Sequence, residues 1–82
     1  MGAMKEMMME LGEKGMIHVT FDEIARWEAA TGETVRTEIV AIGQADVLCI
    51  SADDARRIVR SPFVTLEDAR EIAWRIEVGG ID

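Results

Sequence analysis

The chain is poor in the residues that carry most protein chemistry. Its 82 residues include one cysteine, one histidine and no tyrosine. A single cysteine cannot form an internal disulfide, and with one histidine it cannot complete a four-ligand structural zinc site. No nucleophile and base can be paired with any specificity from this inventory. We therefore expect no metal, no cofactor, no catalytic residue and a protein that is not an enzyme.

Long apolar runs and positive charge are also scarce. No run approaches the roughly 18 apolar residues of a membrane span. The N-terminus lacks the basic and then apolar layout of an export signal. These features and the free cysteine predict a cytoplasmic protein that does not associate with membranes. The net charge of −7 repels phosphate backbones and anionic lipid, so nucleic acid is an unfavourable partner.

Apolar residues, in contrast, make up 49% of the sequence, as expected of a folded globular chain. A chain of this length buries only roughly 60–65% of the surface that its unfolded form exposes. Small domains of this kind often depend on a partner subunit. Self-association as a homodimer is therefore one alternative.

One five-residue pattern occurs three times, as VTFDE at 19–23, ISADD at 50–54 and VTLED at 64–68. In each, an acid follows a hydroxyl residue by three positions, which is the capping-box pattern of a helix start. Adjacent acids on a helix point about 100° apart and converge poorly on a metal. We therefore interpret all three as helix starts. The pairs are Thr20 with Glu23, Ser51 with Asp54, and Thr65 with Asp68.

Three helices are predicted from these starts, over 21–30, 52–60 and 66–78. Gly32, Pro62 and the pair Gly79-Gly80 provide their ends. The third helix has the clearest amphipathic pattern. The predicted buried residues are Phe21, Ile24, Ala25 and Trp27 in the first helix, Ala55, Ile58 and Val59 in the second, and Leu66, Ala69, Ile72, Ala73 and Ile76 in the third.

The segment 34–50 is rich in β-branched and apolar residues and predicts a hairpin. We expect 34–42 to pair with 47–50 around a turn at Gly43–Asp46, with a third strand at 16–19. Both alternating faces of the inner strands are apolar, so helices on each side or a second copy must cover them. The fold class is α+β, a two- to three-stranded antiparallel sheet packed with three capped helices.

The first 15 residues form a separate segment in this prediction, and 16–82 form one compact domain. Met4, Met7, Met8 and Leu11 recur at helical spacing. The segment is interpreted either as tag-derived residues or as a short Met-rich helix whose stripe contacts a partner.

Cys49 and His18 are the two residues on which an enzymatic interpretation would depend. Cys49 is flanked by apolar residues in a predicted strand, which favours a buried core thiol over a nucleophile. His18 has no acid or hydroxyl partner near it in the sequence. Neither residue is assigned to a site.

The leading hypothesis is a non-catalytic module that binds or inhibits another protein by occupying its surface. Trp74 falls well away from the apolar stripe of the third helix, beside Arg70 and Val78, a composition typical of binding hot spots. In a second mechanism the acidic surface imitates nucleic acid on a partner with a basic or grooved surface. The acidic residues of that mechanism are Asp22, Glu23, Glu28, Glu33, Glu38 and Asp46.

Nucleic-acid binding by the helix pair 52–60 and 66–78 is the main alternative. Arg56, Arg57 and Arg60 would supply its positive charge. However, the first turn of the second helix, which normally meets base edges, is acidic. A homodimeric structural or accessory protein is the further alternative.

Overall fold

The computed structural model describes residues 2–81, and side chains from Lys5 onward. The elements are α1 (Gly2–Glu13), β1 (Met16–His18), α2 (Phe21–Thr31), β2 (Glu38–Ile42), β3 (Ala45–Ser51), α3 (Ala52–Arg60) and α4 (Leu66–Val78). The predicted α+β class and the three capped helices are confirmed. The only shift in their bounds is that α2 continues through Thr31 before Gly32 adopts a left-handed conformation at its end.

The three strands form one antiparallel sheet in the order β1-β3-β2. The predicted hairpin and third strand are present, but the hairpin turn is tighter than expected. Residues 34–37 precede β2 rather than belonging to it, and Ala45 and Asp46 belong to β3. Gly43 has a φ of 62°, which allows the two residues Gly43 and Gln44 to close the turn.

The three helix starts are confirmed, but only the first is a complete capping box. The Thr20 hydroxyl accepts from the Glu23 N–H at 3.1 Å, and the Glu23 carboxylate accepts from the Thr20 N–H at 2.9 Å. At the other two starts the hydroxyl accepts but no bond returns, since aspartate is one methylene shorter than glutamate. The two aspartates pair with arginines instead, Asp54 with Arg57 and Asp68 with Arg26.

Helices cover both faces of the sheet. On the three-helix face, side chains of α2, α3 and α4 pack against β1 and β3, forming the larger core cluster. On the opposite face, here called the α1 face, Leu11 of α1 packs with Met16 and Cys49. The larger cluster consists of Ile17, Val19, Ile24, Trp27, Val35, Ile50, Ala55, Ile58 and Ile72.

The methionine stripe is covered by the protein itself. Met8 and Leu11 are buried, and Met7 packs against the α1-face cluster. The expectation that this stripe contacts a partner is therefore wrong for these residues, because they are covered within the fold. The Met4 side chain lies outside the described residues. Gly15, at the predicted segment boundary, lies in the turn between α1 and β1.

Four residues that we expected in the core are exposed. They are Phe21, Ala25, Leu66 and Ala73. The buried side of α2 is centred on Ile24 and Trp27, whereas that of α4 includes Ile72 and the charged Arg75. A wheel drawn from apolar residues alone places the centre of the α4 face incorrectly, because it leaves out a buried arginine.

The backbones of α1 and α4 touch where two glycines meet. A methyl group added to Gly12 would overlap the carbonyl oxygen of Gly79. A methyl group added to Gly79 would approach the Met8 carbonyl oxygen at 3.1 Å. Both neighbouring atoms belong to backbone and cannot rotate away. The glycine at position 12 thus sets how closely α1 docks beside the end of α4.

We expect Gly12→Ala to destabilise the protein by about 1–3 kcal/mol, because overpacking forces the two backbones apart. Alanine has the higher helix propensity by about 1 kcal/mol, so an isolated helix would show the opposite sign. Urea unfolding followed by circular dichroism measures the change. Glu10→Ala, on the exposed side of α1, is the control and should stay within about 0.5 kcal/mol of wild type. An equally stable or more stable Gly12→Ala variant would contradict this close approach.

Candidate protein-binding surface

A buried arginine fixes the orientation of α4. Arg75 donates to both carboxylate oxygens of Glu23, at 3.0 and 2.8 Å, in a two-pronged ion pair. It also donates to the His18 carbonyl oxygen at 3.0 Å and to Glu71 at 3.3 Å. The Arg75 side chain is only 8% exposed. Burying this charge costs several kcal/mol unless its donors are satisfied, so these contacts fix which side of α4 faces inward.

A second ionic contact joins the opposite end of α4 to α2. Arg26 donates to the two Asp68 oxygens at 2.8 and 2.7 Å, and the Trp27 indole N–H donates to Asp68 at 3.1 Å. Trp27 is the core residue that the sequence predicted, with 1% of its surface exposed. The indole nitrogen, its one polar atom, is therefore hydrogen-bonded to an aspartate in the first turn of α4.

Trp74 lies on the side of α4 that these contacts turn outward. It is 46% exposed, against 1% for Trp27. Arg70, one turn earlier, is exposed and Val78, one turn later, is half-buried. We call Arg70, Trp74 and Val78 the α4 outer surface. The structure brings these three predicted residues together on one helix face.

A shallow groove borders this surface, between α3 and α4. It has a volume of about 210 Å³ and is lined by Arg56, Val59, Arg60, Ala73 and Ile76. We call it the α3–α4 groove. Arg70 lies within one turn of both Ala73 and Trp74, so the groove and the α4 outer surface are contiguous. Phe63 and Leu66, near the turn that joins the two helices, are exposed as well.

The six predicted acidic residues are distributed over α2, the segment that follows it and the hairpin. Asp22 lies in the first turn of α2 and Glu33 follows that helix, whereas Glu38 and Asp46 belong to different strands of the hairpin, and all four are exposed. The other two serve the fold. Glu23 pairs with Arg75, and Glu28 accepts from the Val35 N–H at 2.8 Å. This bond explains why Glu28 falls on the apolar side of its helix.

Two of the three arginines of the nucleic-acid hypothesis have acidic partners within α3. Arg56 lies 3.3 Å from Asp53, and Arg57 lies 3.2 Å from Asp54. Arg60 is exposed and lines the α3–α4 groove. The local positive charge of this helix is therefore partly neutralised.

The strand register places His18 and Cys49 opposite each other, with Glu38 on the far side of Cys49. These three neighbouring residues carry a thiol, an imidazole and a carboxylate group. However, Cys49 is 0% exposed beneath α1, and its thiol donates to the Val47 carbonyl oxygen at 3.3 Å. Burial, and then the charge of Glu38, raise the pKa of Cys49, which disfavours the nucleophilic thiolate. Burial and the nearby Arg75 lower the pKa of His18. The arrangement provides no activated nucleophile.

Neither a metal site nor a membrane-spanning helix is present among the described residues. Within residues 5–81, no three or more His, Cys, Asp or Glu side chains are grouped so that they could hold a metal ion. None of the helices between residues 2 and 81 has the length and apolar character needed to cross a membrane.

Comparisons with protein-family models, with curated proteins and with solved structures gave no match. The function is therefore inferred from the residues of this chain and their arrangement.

Sequence reasoning missed the acidic outer side of α1. Glu6, Glu10 and Glu13 line one shallow surface there together with Met9, which is 55% exposed. The spacing of these acids at i, i+4 and i+7 is visible in the sequence. The methionine stripe of the same segment is the stronger pattern, so these acids do not stand out in the sequence.

Acid should weaken the two ionic contacts of α4. Arg26 hydrogen bonds hold the pKa of the Asp68 carboxyl below its usual value. Burial acts to raise the pKa of Glu23, but the hydrogen bonds from Arg75 and the Thr20 N–H outweigh it, so this pKa is also lowered. When a folded-state pKa is depressed, the stabilisation is complete above the unfolded value and is lost as the pH falls through the folded value.

We expect Glu23→Gln to lower the free energy of unfolding at pH 7 by about 1–3 kcal/mol, because a charge-assisted bond to a buried cation is weakened. The difference from wild type should shrink as the pH falls below 4.5, the ordinary glutamate pKa. Urea unfolding at several pH values measures both effects. Glu33→Gln, at an exposed position, is the control. A difference that stays constant down to the acid transition would contradict the assignment.

Proposed function

We propose that this protein is a non-catalytic module that binds another polypeptide through the α4 outer surface and the adjoining α3–α4 groove. The observation that carries the proposal is the exposure of Trp74 on a helix whose orientation is fixed by a buried ion pair. Exposing much of an indole leaves a large apolar area in water, and tryptophan is among the residues most enriched at binding hot spots.

The chemistry of this region indicates the kind of partner. Trp74 and Val78 offer apolar area, and Ala73 and Ile76 line the neighbouring groove. Arg60 and Arg70 add donors near its border. A polypeptide surface with an apolar cleft for the indole and a carboxylate within reach of Arg70 would complement it.

We expect Trp74→Ala to weaken partner binding by at least about thirtyfold, which corresponds to the roughly 2 kcal/mol of a hot-spot residue. The test is a pull-down from the native host with wild type and variant in parallel, followed by a titration against the protein recovered. Phe21→Ala is the matched control, because Phe21 is 74% exposed but lies at the start of α2. A partner that binds Trp74→Ala as tightly as wild type would exclude the α4 outer surface.

Ionic strength distinguishes this mechanism from acidic imitation of nucleic acid. Binding by an apolar surface should persist at high salt, whereas binding by Asp22, Glu33, Glu38 and Asp46 to a basic partner should collapse. The exposure of these four carboxylates is what supports that second mechanism.

For the nucleic-acid alternative, we expect no retention of random DNA or RNA at micromolar protein and low salt. The net charge of −7 and the pairing of Arg56 and Arg57 with acids both oppose phosphate binding. A filter-binding assay measures retention. Retention that disappears in an Arg60→Ala variant would instead support a nucleic-acid interface on α3.

A further inference from the structure

The two edge strands of the sheet, β1 and β2, differ in whether their outward backbone groups are hydrogen-bonded. The Val19 N–H bonds to the Leu48 carbonyl at 2.9 Å, so the odd-numbered residues of this segment direct their backbone groups toward β3. The backbone N–H and C=O groups of His18 therefore point away from β3, and its carbonyl oxygen accepts a hydrogen bond from Arg75. The edge at β1 is thus covered by α4 and its buried cation.

The edge at β2 carries open backbone groups. Backbone groups alternate in direction along a strand, and those of Leu48 point toward β1. The backbone N–H and C=O of Val47 therefore point toward β2, where Val47 pairs with Val40. Ile39 and Ala41, on either side of Val40, must then direct their N–H and C=O groups away from the sheet. Among the described residues, none is bonded to these outward groups.

Apart from Glu38 at its first position, β2 lacks the side chains that usually protect an edge. The strand Glu38–Ile42 has the sequence EIVAI, without lysine or proline, the residues that natural proteins place on edges. Ile39 is 60% exposed and Ala41 is exposed beside it on the three-helix face. An open, apolar edge of five residues is a template for another strand.

We propose that the β2 edge pairs with β2 of a second copy of this chain, antiparallel, about a two-fold axis at Val40. This register pairs all five residues of the strand. Ile39 and Ala41 exchange backbone hydrogen bonds with Ala41 and Ile39 of the second copy. Glu38 faces Ile42 of the second copy, which keeps the two Glu38 carboxylates apart. The dimer has one continuous sheet of six strands.

The composition of β2 favours a second copy over a charged foreign strand of either sign, because an apolar strand is complemented by an equally apolar one. The only charge in the strand lies at its end and meets an apolar residue in the two-fold register. Each chain nevertheless carries a net charge of −7, so two copies repel each other over distance. Salt screens this repulsion, and the dimer therefore strengthens as ionic strength rises. This inference does not depend on the α4 outer surface.

Sedimentation equilibrium of the full chain tests the proposal over about a hundredfold range of protein concentration, at low and high salt. We expect a monomer–dimer equilibrium that shifts toward dimer at high salt. Ala41→Pro removes an outward N–H and leaves the ladder with β3 intact, and Ile39→Lys places charge on the edge. Both variants should dissociate at least about tenfold more readily.

Phe21→Lys is the matched control, an exposed apolar residue away from the sheet edge, and should dimerise like wild type. Circular dichroism at dilute concentration verifies that each variant is folded. Hydrogen exchange provides the second readout: the amides of Ile39 and Ala41 should become protected as the protein is concentrated. A wild-type chain that stays monomeric throughout overturns the proposal, as does a dimer that forms without this protection or survives Ile39→Lys.

Discussion

The guanidinium of Arg75 is the interaction on which the arrangement of α2, α4 and β1 depends. It donates to Glu23 at the start of α2, to Glu71 on its own helix and to the His18 carbonyl on β1. Removing any acceptor leaves a charge buried without full compensation. With Arg75 and Ile72 held inward, Trp74 must face away from the core, because successive residues are about 100° apart on a helix. The exposure of the tryptophan thus follows from the burial of the arginine.

The sequence predicts those features whose causes are local. A hydroxyl and an acid three residues apart predict where α2, α3 and α4 begin, since the bonds involved lie within one turn. The long-range roles of the same acids have no sequence signal. Asp68 lies 42 residues from Arg26, yet its bonds to that arginine and to the Trp27 indole join α2 to α4. The exposure of Leu66 and Ala73 has no sequence signal for the same reason, because a hydrophobic pattern does not include a buried ion pair.

In α1 the spacing of apolar residues predicts a helix with one apolar side, but it does not predict what that side packs against. The spacing of Met7, Met8 and Leu11 correctly predicts one apolar side of a helix. It does not say whether that side meets another molecule or the protein's own sheet. Gly12 carries part of the missing information, because a glycine beside the stripe of a short helix permits a backbone approach that other residues exclude. Its partner Gly79 is distant in sequence, so the approach itself needs the folded structure.

Arg75 also explains why the sheet edge at β1 is covered. It satisfies the outward carbonyl of His18, whereas Ile39 on the far strand is 60% exposed. Val40, one residue on, is half-buried against the α1-face cluster, so the α1 face is covered closer to this edge than the three-helix face is. A strand added at β2 would extend both core faces at once and would bury Ile39. The buried cation thus accounts for the outward position of Trp74 and for the covered β1 edge, whereas the β2 edge lies across the sheet from it.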